Sequence, residues 1–233
     1  MPYYGGIDYS YIIYVLPALL FALWAQFNVK VTYSKYSRVP SEKGMSGYDA
    51  ARMILDSNGL GNVRVEQVAG DLTDHFDPTD NVIRLSETTY GARNMAAVGV
   101  AAHEAGHAVQ YARGYFPMKV RSAIIPVTRI GSNLAFPLVI LGVLLSFEPL
   151  AMIGVVLFGA CVLFQLVTLP VEFNASRRAV EILEGSGLSE ENVKAARKVL
   201  FAAALTYVAA LASAIGNFLR LLSIARGSKN NRR

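Results

Sequence analysis

The chain of 233 residues carries a formal net charge of +5, and 53% of its residues are hydrophobic. This hydrophobic share, together with a mean hydropathy of +0.36, exceeds what soluble globular domains show, so the composition argues against an ordinary soluble domain and favours an integral membrane protein. The excess of basic residues does not indicate a nucleic-acid partner, because these residues are scattered or flank apolar stretches, where they orient a chain in the membrane.

The first apolar stretch, residues 7–29, is long enough for a helix across about 30 Å of hydrocarbon. It lacks a positive N-terminal region and a small-x-small cleavage site, so we interpret residues 1–29 as an uncleaved transmembrane anchor rather than a secretory signal. No Lys or Arg precedes Lys30, and the positive-inside rule therefore places the N-terminus outside and the following segment in the cytoplasm. We expect aromatic residues to anchor this helix at the membrane–water interfaces, and these are Trp24 and the tyrosines at positions 3, 4, 9, 11 and 14.

Residues 30–122 are predicted to form a small α+β unit. Ser46 is a suitable cap for a first helix, which Asn58 and the glycine after it would end. Residues 62–68 alternate between apolar and polar side chains, and residues 81–85 do so more briefly, so each segment predicts a strand.

The next helix, predicted for residues 94–113, carries a metal-binding pattern. Apolar residues recur there at three- and four-residue steps without a proline. His103 and His107 then lie one turn apart on one face and can bind one tetrahedral metal ion, while Glu104 points beside it. Only three histidines occur in the chain, and two of them form this H-E-x-x-H pattern of zinc peptidases, with the glutamate as general base. A metal site without activity is the main alternative.

A short sheet beside this helix would suit peptide hydrolysis, because an edge strand can pair with the backbone of an extended substrate and align its scissile carbonyl. We expect residues 81–85 to be that edge strand. Asn81 and Ile83 are then candidate contacts to the substrate.

A membrane hairpin is predicted for residues 123–169. Two apolar runs, residues 133–145 and 150–169, are separated by a short turn, and a hairpin that crosses twice returns the chain to the side on which it began.

The segment that follows the hairpin, residues 170–198, offers the third metal ligand before a polar connector. Glu172 emerges on the same side as His103 and His107, so its carboxylate can complete a His₂Glu site. The alternative is an ordinary acid in the first turn of a helix that begins at Pro170.

Residues 199–225 form the last apolar helix, and residues 226–233 a basic tail that we expect to be disordered. We predict that this helix is a fourth membrane span buried against the other three; the alternative is that it packs against the bundle without crossing. Lipid would not tolerate its polar residues facing outward, and these are Thr206, Tyr207, Ser213, Asn217 and Arg220.

Contacts to the substrate or to the transition state have several candidates. His75, the third histidine, is interpreted as such a contact, as a third metal ligand or as a surface residue without function. Tyr207, Arg177, Arg178 and Arg129 are rival donors to the tetrahedral intermediate.

Several segments resemble the YugP-type neutral zinc membrane peptidases and, more distantly, HtpX and the CAAX prenyl proteases. The resemblance implies that His103, His107 and Glu172 bind zinc and that Glu104 is the general base. The segments that carry it are residues 72–78, 82–86, 101–110 and 171–179.

One position departs from the wider HtpX pattern, in which an aspartate lies four residues after the glutamate ligand. Here that position is Ser176, so a carboxylate that would orient a histidine is missing. Either Asp71, Asp74 or a hydroxyl group orients the histidine, or the site is held more loosely.

The sequence as a whole predicts an α-helical integral membrane protein of three to four transmembrane helices with a small zincin-like α+β unit. We expect a multi-pass protein of the inner membrane, with one Zn²⁺ per chain and a cytoplasmic site that cleaves peptide or protein substrates. Two other classes stay open, a metal-binding scaffold that does not hydrolyse and a zinc-dependent amidase or lipid hydrolase. Glu104 argues against the scaffold, which needs no base beside the metal.

Overall fold

The computed structural model describes residues 3–4 and 7–230, with side chains for residues 9–227. The described helices, in chain order, are α1 (Leu16–Tyr36), α2 (Gly47–Ser57), α3 (Glu87–Tyr90), α4 (Met95–Ala112), α5 (Phe116–Leu144), α6 (Glu148–Gly185) and α7 (Glu190–Asn230). The described strands are β1 (Tyr3–Tyr4), β2 (Ile7–Asp8), β3 (Arg64–Val68), β4 (His75–Asp77) and β5 (Val82–Ser86).

The chain divides into two compact units. The helical unit comprises the described parts of Met1–Ala25, Val120–Leu169 and Thr206–Arg233. The α+β unit comprises Gln26–Lys119 and Pro170–Leu205. Helices α1, α5, α6 and α7 each contribute residues to both units.

The helical unit contains most of the apolar helix length. Four described helices are long and apolar enough to cross a membrane: α1 with the π-helical turn Tyr11–Val15 before it, α5, α6 and α7. Small residues let α5 and α6 approach closely; a Cβ atom added to Gly154 would lie 2.6 Å from the Ala135 carbonyl oxygen. Such backbone proximity is typical of helix pairs in membranes.

The five polar residues of α7 that were predicted to face protein are each partly buried: Thr206, Tyr207, Ser213, Asn217 and Arg220. The Arg220 guanidinium lies over the Tyr11 ring, 5.4 Å from its centroid. The Asn217 side-chain amide donates to the Ser213 carbonyl at 2.9 Å, which satisfies an amide that lipid could not.

The long helices extend beyond their predicted limits. Helix α5 begins at Phe116 and contains Pro126 and Pro137, and α6 continues through Pro170 to Gly185. Pro170 therefore does not begin a new helix. Helix α7 runs to Asn230, so the prediction of a disordered tail from residue 226 was wrong as far as residue 230, and residues 231–233 lie outside the described part.

The α+β unit begins with the helix that Ser46 was predicted to cap. The Ser46 hydroxyl accepts from the Asp49 amide at 3.1 Å, and the Asp49 carboxylate accepts from the Ser46 amide at 2.9 Å. This reciprocal pair is a capping box. Gly59, just after the end of α2, has a φ of 72°, a conformation that costs glycine little.

The sheet of the α+β unit has the strand order β3-β5-β4. Strand β5 pairs in parallel with β3 and antiparallel with β4, so that Ile83 lies between Val65 and Phe76. The prediction that residues 81–85 form an edge strand was therefore wrong. Strand β4 has only three residues, too few to show alternation, and it takes the edge position that sequence patterning assigned to β5.

The core of the α+β unit forms around α4, which is buried along most of its length. Apolar residues of α2, β5, α6 and α7 surround it, including Ile54, Leu85, Leu183 and Val199. Two glycines of α4 face neighbouring helices: a Cβ atom at Gly99 would lie 3.5 Å from Ala196, and one at Gly106 would lie only 2.7 Å from the Ala175 carbonyl oxygen. Helix α4 is thus held against α6 at the turn that contains Gly106.

Candidate metal centre

Helix α4 brings two imidazoles together. The helix begins at an Asn94 cap, whose side-chain oxygen accepts from the Ala97 amide at 3.0 Å, and it then runs without interruption to Ala112. His103 and His107 lie one turn apart on the same face. Their ring centroids are 4.6 Å apart and their planes are nearly perpendicular.

Helix α6 places a carboxylate between these rings. Glu172 is only 1% exposed, and its Oε2 atom lies 3.1 Å from His103 Nε2 and 3.4 Å from His107 Nε2. One ligand atom from each of the three residues lies within 4.8 Å of the others. Among the described residues, no other set of three or more His, Cys, Asp or Glu side chains comes this close together. Gly106 permits this geometry, because any side chain there would collide with the α6 backbone at Ala175.

The outer nitrogen of each imidazole has a hydrogen-bond partner. His103 Nδ1 lies 3.1 Å from the Ser176 hydroxyl oxygen, and His107 Nδ1 lies 3.0 Å from the Gln110 side-chain oxygen. When Nδ1 carries the proton, the lone pair of Nε2 is directed at the carboxylate and is available to a metal. Two imidazole nitrogens and one carboxylate oxygen are the ligand set of a catalytic zinc site, so the residues fit Zn²⁺.

A buried polar network supports this ligand set. The Gln110 amide nitrogen donates to the Val171 carbonyl at 2.8 Å and to Asn174 Oδ1 at 2.9 Å. Arg178 Nε donates to the same Asn174 oxygen at 2.8 Å. Sequence reasoning missed Gln110 and Asn174. The spacing held a signal, since Gln110 follows His107 by three residues and so lies on its face of the helix.

The candidate base Glu104 contacts the edge of the sheet. Its Oε2 atom accepts a hydrogen bond from the Phe76 backbone amide at 3.0 Å. The Phe76 ring packs on Tyr111, with 5.8 Å between the ring centroids. Strand β4 therefore lies directly beside Glu104.

The surroundings of His107 raise the pKa of its imidazole. Burial of the imidazole lowers the pKa, but the hydrogen bond to the Glu172 carboxylate and the charge of Glu104 outweigh the effect of burial. Metal binding at His107 therefore competes with protonation of the imidazole.

Several predicted contacts lie apart from the three ligand atoms. His75 is exposed on β4, with Nδ1 2.8 Å from the Thr73 carbonyl oxygen, and it does not belong to the group of possible ligands. Ile83 is fully buried in the central strand, which contradicts its expected role at an edge. Asn81 lies in the turn before β5 and donates to the Asn62 carbonyl at 3.3 Å.

Two of the predicted cationic residues, Arg177 and Arg178, have protein partners. Arg177 is exposed and pairs with Glu181 at 3.6 Å, whereas Arg178 supports Asn174. Tyr207 and Arg129 belong to the helical unit.

The missing aspartate is replaced by a hydroxyl group, one of the alternatives that the sequence left open. Ser176 lies next to His103 Nδ1. Asp74 instead accepts from the amide and the hydroxyl of Ser86, at 2.8 and 2.9 Å, so it holds the end of β5.

Comparison with known proteins identifies the family. The sequence model of the family described as "Putative neutral zinc metallopeptidase" matches residues 11–226. The chain belongs to this family. It is also 46% identical over 215 residues to "Putative membrane protease YugP" of Bacillus subtilis (strain 168), and the match covers 92% of this chain and 96% of the relative. No solved structure matches the chain. The matched span includes every residue of the candidate metal centre.

We expect Gly106→Ala to lower the free energy of unfolding by about 1–3 kcal/mol, because the new methyl group forces α4 away from α6. The zinc content should fall with it, since Glu172 moves away from the imidazoles. Gly99→Ala is the matched control: its methyl group meets only ordinary contacts. Thermal unfolding and zinc analysis of both purified variants check this, and equal zinc content with equal stability would contradict the role of Gly106.

Glu172→Ala should lower zinc occupancy far more than His75→Ala, because it leaves the ion with two protein ligands rather than three. Glu181→Ala removes an exposed carboxylate from the same helix and serves as the control. The measurement is the zinc content of the purified variants after dialysis. Comparable loss in His75→Ala would place His75 among the ligands.

Proposed function

We propose that the protein is a zinc-dependent membrane metalloendopeptidase of the gluzincin type, with one Zn²⁺ held by His103, His107 and Glu172. The observation that carries this proposal is the convergence of two imidazoles and a buried carboxylate within 4.8 Å; the imidazoles lie on the helix that also carries Glu104, next to His103. Membership of a zinc metallopeptidase family and similarity to a membrane protease support it.

Glu104 is the general base in this proposal. When bound, zinc supplies a Lewis acid that polarises the scissile carbonyl and makes water nucleophilic near neutral pH. Glu104 accepts the proton of the attacking water and passes it to the nitrogen of the leaving amine. The Phe76 amide holds Glu104 Oε2 at 3.0 Å, which fixes the orientation of the carboxylate before substrate arrives.

Strand β4 is the proposed substrate-binding strand, in place of residues 81–85. It lies at the edge of the sheet, and its Phe76 amide points away from β5 toward Glu104. The carbonyl of the same residue lies on that same side of the strand. An extended peptide alongside β4 can therefore donate a backbone hydrogen bond to Phe76 next to the base. His75, Arg177 and Tyr207 remain candidates for polar contacts to the substrate or the transition state.

We further propose a multi-pass protein of the inner membrane whose site faces the cytoplasm. Four apolar helices of sufficient length support a four-span arrangement. The absence of Lys and Arg before Lys30 supports an outside N-terminus. With that orientation, the segment after the first span is cytoplasmic.

Glu104→Gln should retain zinc and lose roughly 10²- to 10⁴-fold in the rate of peptide cleavage, the usual contribution of a general base. Glu191→Gln, an exposed glutamate at the start of α7, should cleave as the wild type does. Cleavage of an unfolded protein reporter by purified zinc-loaded variants measures the effect.

Cleavage by Glu104→Gln at the wild-type rate would refute the base assignment. A wild type that binds zinc but hydrolyses nothing would indicate the scaffold alternative. Turnover of acyl amides or lipids without peptide cleavage would indicate the alternative hydrolase.

The four-span arrangement predicts that Ser37→Cys is protected and Ser228→Cys is labelled by a membrane-impermeant maleimide on intact cells. Both variants carry Cys161→Ser to remove the native thiol. Lysed cells provide the control for reactivity, and both sites should label there. Protection of both sites in intact cells would exclude four spans, and labelling of Ser37→Cys would exclude a cytoplasmic site.

A further inference from the structure

Gln110 is a fully buried amide whose hydrogen-bonding groups contact both helices of the metal centre. Its side chain is 0% exposed and lies one turn beyond His107 on α4. The oxygen faces His107 Nδ1 at 3.0 Å. The nitrogen faces the Val171 carbonyl at 2.8 Å and Asn174 Oδ1 at 2.9 Å, both on α6.

The Val171 carbonyl determines which way this amide points. A backbone carbonyl can only accept, so the NH₂ group of Gln110 must face α6. Its oxygen must then face His107. Because that oxygen can only accept, His107 Nδ1 must carry a proton, and in the neutral imidazole the Nε2 lone pair is left for a metal.

His103 has no equivalent constraint. Its Nδ1 atom contacts the hydroxyl group of Ser176 at 3.1 Å, and a hydroxyl can either donate or accept. Ser176 therefore places the ring of His103 without selecting its tautomer. The two histidines differ in this respect: Ser176 of α6 contacts His103 directly, whereas Gln110 joins His107 to the α6 turn that carries Glu172 and also selects its tautomer.

We propose that Gln110 is a positioning residue that couples the two helices of the metal centre: its oxygen fixes the metal-binding tautomer of His107, and its NH₂ group holds the α6 turn that carries Glu172. This inference rests on the proposed zinc site. It assigns separate tasks to the two ends of one amide, and those tasks can be separated by substitution.

Gln110→Met keeps the length of the side chain and removes both ends of the amide. We expect zinc affinity to fall about 10- to 100-fold, the usual effect of losing a hydrogen bond behind a metal ligand, and the metal-free protein to melt at a lower temperature. As a carboxylate, the side chain of Gln110→Glu keeps an acceptor for His107 Nδ1 but has no proton to donate to Val171. This variant should recover most of the zinc affinity and none of the lost stability.

Two further variants serve as controls. Ser176→Ala should lower zinc affinity less than Gln110→Met does, because Ser176 does not select a tautomer. Glu181→Ala, which removes an exposed carboxylate from α6 away from the ligands, should bind zinc as the wild type does. Zinc affinity is measured by competition with a chromophoric chelator, and the visible spectrum of the Co²⁺-loaded proteins reports the coordination geometry.

Zinc binding by Gln110→Met as tight as that of the wild type, with an unchanged Co²⁺ spectrum, would overturn the inference and leave Gln110 a packing residue. If Gln110→Glu binds zinc as weakly as Gln110→Met does, the tautomer role is overturned. If Gln110→Met does not fold, a zinc affinity of Gln110→Glu far below that of the wild type overturns this role in its place. These measurements use no substrate. If the zinc affinities of the variants follow the predicted order but the wild type cleaves no peptide, only the proposed peptidase function is refuted.

Discussion

The close approach of α4 and α6 at Gly106 is the constraint on which the metal centre depends. The backbone of α6 at Ala175 occupies the space that a side chain at Gly106 would need. Only this proximity lets Glu172, one turn before Ala175, reach both Nε2 atoms of α4. The glycine inside the H-E-A-G-H sequence is thus as necessary to the geometry as the histidines are.

The burial of the Glu172 carboxylate carries a cost in free energy. A carboxylate that is 1% exposed is costly unless charged or hydrogen-bonding groups compensate it. Two imidazoles, or the metal that they bind with the carboxylate, provide that compensation. Hydrogen bonds among Gln110, Asn174 and Arg178 hold the α6 turn beside the ligands, so the site can be held in one geometry before a metal enters.

Sequence patterning predicted the elements that have a strong local signal. Spacing or composition predicts the helix around His103, the Ser46 cap and the four long apolar helices. The structure also brings Glu172 to the two histidines, from which it is separated by 65 residues or more along the chain. That zinc binds there stays a prediction. The edge strand β4 was not predictable, because three residues show no period and tertiary pairing alone places them. Helix α6 continues past the boundary that was predicted at Pro170. Proline within an apolar helix is tolerated where neighbouring groups satisfy the carbonyl that it leaves without its helical partner.

Zinc K-edge X-ray absorption of the purified protein tests the central claim most directly. The account predicts two imidazole nitrogens at about 2.0–2.1 Å and one carboxylate oxygen at about 2.0–2.2 Å, with the oxygen contribution reduced in Glu172→Ala and both imidazoles retained. A zinc spectrum that is the same in Glu172→Ala and in the wild type, or one with a third imidazole, would contradict a site closed by α6.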